Sequence, residues 1–225
     1  SVCRTRRVEG LIVFRPTDEI HDVLRKVAAR LPTVTLFYPV SDAPADTVRI
    51  DAAPALRAMV ERRLRRGQRR FAYLGMESMA NDTNHASPYA AVYRAFVELV
   101  RKHGIEPQIK LSRLGPEAHS AEHDRLATEI EDNTTVVLSY PSVQRSVERA
   151  GRRLDAISYT ESPDTRDQYR DTVSLLYMGI ETVTRAALDL LVRRIEHGPS
   201  LPARQVTIAP ERLDLADEEG GAMDR

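Results

Sequence analysis

Tryptophan is absent from this chain, cysteine occurs once, and aromatic residues make up only 5% of it. The single thiol, Cys3, forbids an internal disulfide, which suits a reducing compartment. Lying near the terminus with no arguable cationic neighbour, it reads as inert. No apolar run approaches the roughly 20 residues that a membrane span requires, and no signal peptide is visible. Neither sign of charge dominates: Lys+Arg and Asp+Glu number 33 each, so no global field draws the chain to nucleic acid or anionic lipid. Lysine is scarce, limited to Lys26, Lys102 and Lys110. Also missing are a G-x-S-x-G elbow, a P-loop, a dinucleotide glycine fingerprint and paired zinc cysteines, with the enzyme classes they would carry. No cofactor and no resident metal are expected. The sequence has no initiator methionine and opens almost directly on a strand-like run, so it reads as a fragment of a longer protein.

What is present is an ordinary globular composition, 42% apolar and 29% charged. The 28 residues from Val48 to Gly75 hold the clearest unit. A short strand ends at Asp51, an amphipathic helix runs to about Arg66, and a second strand covers Arg70 to Gly75. Leu56, Met59, Val60 and Leu64 share one helical face, while Arg57, Glu61, Arg62, Arg65 and Arg66 face outward. Gly67 stands where a helix ends in a left-handed residue.

The same alternation runs along the chain. Strands are expected at Val8 to Phe14, Val34 to Phe37, Thr47 to Ile50, Ile109 to Leu111, Thr135 to Leu138, Ala156 to Tyr159 and Val206 to Ile208. Helices are expected after Thr17 or Asp18 (with Ile20, Val23, Leu24 and Val27 as its stripe), then from Pro88, Pro116 and Pro141. The last runs from about Met178 to Glu196, with Val183, Ala187, Leu190, Leu191 and Ile195 inward. Glu77 to Ser87 and Thr160 to Arg170 read as loops. The tail from Ala216, acidic and glycine-rich, reads as disordered. Strands alternating with helices predict an α/β fold of parallel sheets flanked by helices. Ligands in such folds bind at the carboxyl ends of the strands. That rule nominates the loops after Phe14, Phe37, Ile50, Gly75, Leu138 and Tyr159.

Two constellations invite a sharper reading. His119-Ser-Ala-Glu-His123 matches the inverted zinc-protease pattern, but its face continues as Leu126, Ala127 and Ile130 and no third ligand can be identified. Polar residues in the first turn of a sheet-covering helix are the simpler account. Seven arginines from Arg57 to Arg70 could form a nucleic-acid stripe. No aromatic rings interleave with them, so a solvated face is the better reading.

Three segments taken together resemble the ligand-sensing domain of LacI/GalR-type transcriptional regulators. Arg6-Arg7-Val8-Glu9-Gly10-Leu11-Ile12 is similar to the family's "RRVDGLI" strand. Val48 to Asp51 and Gly67 to Gly75 resemble its "VxxDN" and "GHRRIAFIG". Met178-Gly179, the helix Ala186 to Ile195, and Gln205 to Leu213 resemble its closing segment. The resemblance implies a two-lobed, periplasmic-binding-protein-like (type I) fold with the first lobe incomplete, because the family's first two βα units and its helix-turn-helix have no counterpart here. It assigns 1–66 to a partial first lobe with a crossover helix, 67–177 to a second lobe, 178–215 to elements completing both, and 216–225 to the tail. The implied function is to bind a small polar effector, of sugar or nucleoside class, in an interlobe cleft of a cytoplasmic homodimer. DNA would be reached only through the missing head, and no membrane is involved.

For a ligand site the resemblance and the strand-end rule together nominate Arg15, Tyr38 and Asp51 in the first lobe. In the second they nominate Glu77, Phe96, Ser139 and Tyr140, and after the later strand Tyr159, Thr160 and Glu161. Asp51 could instead cap the following helix, and Phe37 reads as core. Several positions depart from the family's sugar-binding pattern: Ala52 replaces an asparagine, Val92 an arginine, and Ser139-Tyr140 an Asn-Asp pair. A site for sugar hydroxyls needs such planar and charged groups, so the departures point to a different effector or none. A solute-binding receptor and, more remotely, a metal-dependent hydrolase are the alternatives.

Overall fold

Each β-branched run becomes a strand, and nearly every strand pairs in parallel with its neighbours. The computed structural model describes residues 8–81, 87–113, 119–139, 143–160, 162–169, 172–198 and 201–213. In chain order the described elements begin with β1 (Leu11–Phe14), a 3-10 turn (Asp18–Ile20), α1 (His21–Ala28), β2 (Thr33–Leu36) and β3 (Asp46–Ile50). Next come α2 (Ala53–Arg65), β4 (Phe71–Met76), α3 (Glu77–Ala80), α4 (Pro88–Lys102) and β5 (Gln108–Ser112). Then follow α5 (His119–Thr128), β6 (Thr134–Leu138), α6 (Gln144–Arg149), β7 (Leu154–Thr160) and α7 (Pro163–Tyr169). The series ends with β8 (Ser174–Tyr177), α8 (Ile180–His197), β9 (Gln205–Ile208) and β10 (Glu211–Leu213).

The chain divides into two units, Ser1–Asp51 with Ile180–Ile208, and Ala52–Gly179 with Ala209–Arg225. In unit 1 a four-stranded sheet of order β1-β2-β3-β9 is parallel throughout. Helix α8 covers it, burying Val183, Ala187 and Leu190 with Val34 and Val48 of the sheet. The chain comes close to α8 at Gly10, where a Cβ would lie 2.7 Å from Leu191 Cδ1. Two expectations for inward faces fail in this unit. Ile195 is 40% exposed on α8, and Ile20 just before α1 and Val23 within it are exposed, the buried residues of α1 being Leu24 and Ala28.

Unit 2 carries a six-stranded sheet of order β10-β8-β7-β6-β4-β5, parallel except for the β10–β8 edge pair. Strand alternation sends Ala72, Leu74, Val136, Leu138 and Ala156 into one core, with Leu126, Ala127, Ile130 and Val147 of α5 and α6 or their flanks. Phe71 and Tyr73 point the other way, toward Phe96 of α4.

Helix α2 belongs to unit 2 and packs beside α4, so the division falls at Asp51 and not beyond Arg66. It buries Leu56, Met59, Val60 and Leu64 as the spacing predicts. It also buries Arg63, whose guanidinium binds Asp155 through Nε and, at 2.9 Å, through Nη2. Gly67 ends the helix at φ +90°, where a side chain would be strained.

Candidate functional site

Three strands of unit 2 end together: β4 and β7 both pair with β6, so the residues that follow them share one edge of the sheet. Gly75, near the end of β4, lets that edge close tightly. A Cβ there would lie 2.7 Å from both Cβ and Oγ of Ser139 and 2.9 Å from Tyr73 Cε1. Ser139 directly follows β6 and is held there as its N–H donates to Leu74 O at 3.1 Å. Its side chain is buried, and its hydroxyl has no hydrogen-bond partner.

Tyr73 lies on the same face, fully buried, and its Oη likewise has no partner. Burial pushes the Tyr73 phenol well above its ordinary value, with Tyr93 and Tyr89 adding to the shift, so the group stays a neutral hydroxyl. Its ring meets Tyr93 edge-on at 4.8 Å and Phe96 at 6.2 Å. Tyr89 meets Tyr159 edge-on at 5.2 Å. Tyr89 and Tyr93, four residues apart on α4, share one helical face and are partly exposed. Tyr159 is buried and donates its hydroxyl to Met178 Sδ. On the next strand position, Ser158 is buried with an unpartnered Oγ, and so is Gln144 Oε1 at the start of α6.

The remaining candidates in unit 2 separate by burial. Thr160 ends β7, buried, its Oγ1 accepting from Ser162 N–H at 3.3 Å. Glu77 opens α3 and pairs with Arg113 Nε at 3.1 Å, an exposed contact of little energetic weight. Phe96 has no exposed surface and packs as a core ring against Phe71 and Tyr73. Tyr140 and Glu161 lie outside the described residues.

In unit 1 the strand ends carry strain. Arg15 follows β1 at φ +47° and Phe37 follows β2 at φ +73°, left-handed positions that bulky side chains rarely occupy. Backbone bonds hold both, with Arg15 N–H donating to Leu36 O at 3.2 Å and Phe37 N–H to Val48 O at 2.8 Å. The Arg15 guanidinium stacks over the rings of Phe14 at 5.1 Å and Phe37 at 5.4 Å. Phe37 is buried, as expected of core, while Tyr38 is partly exposed. Asp51 is exposed, its N–H donating to Ile208 O at 3.1 Å. The cap position of α2 is taken by Ala52, which makes no side-chain bond.

Only part of the zinc-like pattern falls among the described side chains. Glu122 accepts from Ser112 Oγ, His123 is buried, and the side chain of His119 lies outside the described residues. Among the described residues no group of three or more His, Cys, Asp or Glu could hold a metal ion, and no helix is long and apolar enough to cross a membrane.

No protein-family model matches the sequence, and no curated protein matches it. Solved structures do. The trehalose repressor from Escherichia coli superposes with a TM-score of 0.72 at 17% identity, over 94% of this chain and 79% of that one. A LacI transcriptional regulator from a Rhodococcus species gives 0.71 at 17% identity, over 95% and 79%. The fold is that of LacI-type regulators. A third such structure, the LacI family regulator from Enterococcus faecalis with bound ribose, gives 0.68 at 15% identity over 92% of this chain and 77% of that one. This LacI-type fold accounts for the two units of parallel sheet and for strand ends that face loops.

Sequence reasoning did not single out Tyr73, Tyr89 and Tyr93, which the fold brings together. The signal was present in part. Tyr73 lies two residues before the strand-end glycine, on its face of the sheet, and Tyr89 and Tyr93 have i,i+4 spacing. What was illegible is that α4 lays that face over β4.

Proposed function

We propose that the chain is the effector-sensing part of a LacI-type transcriptional regulator, binding a small polar metabolite at the carboxyl ends of its strands. The observation that supports this reading is a pair of buried hydroxyls without partners on the α4 face of unit 2, Tyr73 Oη on β4 and Ser139 Oγ just after β6. Buried polar groups are nearly always paired, so each exception calls for a partner from outside the chain, and a bound metabolite is one such partner. The strained Arg15 and Phe37 at the strand ends of unit 1 add support, since such backbone clusters at ligand sites. No catalysis is part of this reading. Ligand binding would act on transcription by favouring one of two conformations, in a homodimer whose DNA-binding heads lie outside this chain.

A thermal-shift panel of sugars and nucleosides tests the binding step. A ligand at about 100 times its Kd should stabilise the protein by about 2.7 kcal/mol, a shift of several degrees. No shift with any member of the panel would overturn the sensing reading. The open reading frame ahead of Ser1 tests the regulator half: a helix-turn-helix is expected there, and a signal peptide in its place would make the protein a solute receptor.

A further inference from the structure

Helix α8 is apolar on two sides. One side meets the sheet of unit 1 through Val183, Ala187 and Leu190, with Arg194 buried beside them. The other carries Leu188, Val192 and Ile195, whose spacing is that of a seam for a second helix. They are 48, 50 and 40% exposed, where the outward face of a sheet-covering helix is normally polar. Charged side chains flank this stripe. At about 100° per residue, Arg185, Asp189, Arg193 and Glu196 all fall on one side of it, with Thr184 and Leu191 on the other. Arg185, Asp189 and Glu196 are exposed, and among the described residues none of the four charges forms an ion pair. Arg193 also has a buried Nη1 without a hydrogen-bond partner.

We infer that this face of α8 pairs with the same face of a second copy of the chain, the two helices running antiparallel about a two-fold axis. In such a pair each contact occurs twice, because symmetry repeats it with the copies exchanged. An axis at Leu191 sets Leu188 against the partner's Ile195, Asp189 against the partner's Arg193 and Arg185 against the partner's Glu196. The midpoints of all three pairs fall within one residue of Leu191, and Val192 packs beside the axis against its own copy. Both ionic pairs join opposite charges, since a two-fold axis across antiparallel helices brings like flanks together. A parallel pair would turn the charged flank toward Thr184 and Leu191 and leave all four charges without partners. Charge complementarity thus sets the orientation, and the apolar stripe supplies the burial. Two 18-residue helices, each about 27 Å long, bury less than a standard interface, so the association is weak, with a Kd roughly in the tens of micromolar. Nothing in this pairing depends on the sensing function.

Sedimentation equilibrium of the purified chain, from about 5 to about 500 µM, should show a monomer passing to a dimer. Arg185→Glu and Glu196→Arg each set like charges opposite one another at two places and should weaken association about tenfold. Both positions are exposed and neither change opposes the helix dipole, so the melting temperature of each monomer should stay within about 2 °C of the parent. An equimolar mixture of the two variants restores both pairs across a heterodimer and should associate about as tightly as the parent chain. Ion pairing within one helix predicts no such rescue. Asp189→Arg mixed with Arg193→Asp repeats the test at the inner pair, and Val192→Asp, which places two carboxylates beside the axis, should leave a monomer throughout. A chain that stays monomeric at the highest concentration overturns the inference and leaves the face to a different partner. So does a dimer that neither single variant weakens, or a mixture that associates no more tightly than the variants alone. The sensing function stands in each of these cases.

Discussion

Asp46 and Arg194 form an ion pair with no exposed surface on either side chain, Arg194 Nη2 donating to Asp46 Oδ1 at 2.8 Å. The same oxygen accepts the Arg204 N–H at 2.6 Å, so the carboxylate ties β3 both to α8 and to the approach to β9. Burying two charges is costly, and breaking such a pair leaves the survivor without compensation. Arg194→Met is therefore expected to destabilise unit 1 by about 3–5 kcal/mol in urea unfolding, and Asp46→Val combined with Arg194→Met to recover much of it. Arg63 is the counterpart in unit 2. It binds Asp155, Met59 O at 3.2 Å and Ser174 Oγ at 2.7 Å, but Asp155 is 42% exposed, so its loss should cost less.

Exposed pairs act on a different variable. Arg149 donates to Asp124 and holds its carboxyl below the ordinary carboxylate value, as Lys110 does for Glu129 and Arg101 for Glu106. A depressed carboxylate contributes stability that is complete above the unfolded-state pKa and disappears as pH falls through the folded one. Unfolding midpoints should be flat from pH 7 to about 5 and fall below about pH 4, with salt and Asp124→Asn each flattening the acid limb.

At the element scale, α2 was legible because its apolar spacing, its proline in the first turn and its terminal Gly67 agree with one another. A Cβ at Gly67 meets nothing within 4 Å, so Gly67→Ala isolates the backbone term and should cost about 1 kcal/mol. Strand β8 was not legible. Ser174 to Tyr177 is a four-residue apolar run just before α8, and so short a run carries no period to separate strand from helix. Helix α7 was hidden for the opposite reason: Pro163 to Tyr169 is polar enough to read as loop. Inward assignments failed along α1 and α8 because an apolar stripe does not say which of its residues find a partner. Among the described residues the exposed large hydrophobics, Phe14, Ile20, Val23, Leu188, Val192 and Ile195, all fall in unit 1. Three of them lie on α8, and among the described residues β1 is an edge strand of the sheet it covers. Leu188→Gln with Val192→Lys should lower binding of a hydrophobic dye while leaving the melting temperature nearly unchanged.

For the whole molecule, balanced charge has a solubility consequence. With 33 residues of each sign and a pI near 7.0, self-repulsion vanishes at neutral pH. Light scattering at fixed concentration should peak near pH 7 and decline on either side, more steeply at low salt. The sequence by itself determined the class of fold, because alternating β-branched runs and amphipathic stretches leave parallel sheets covered by helices as the arrangement that buries both. It also nominated the loops that follow the strands, since strand ends follow from strand assignment. Only the tertiary structure decided which side chains meet there. Tyr73 and Gly75 come from β4, Ser139 from the end of β6, and Tyr89 and Tyr93 from a helix laid beside them, and no local pattern encodes that these three segments meet. It likewise decided that Phe96 is core and that Arg63 and Arg194 are buried, because burial depends on what packs opposite a residue and not on its own chemistry.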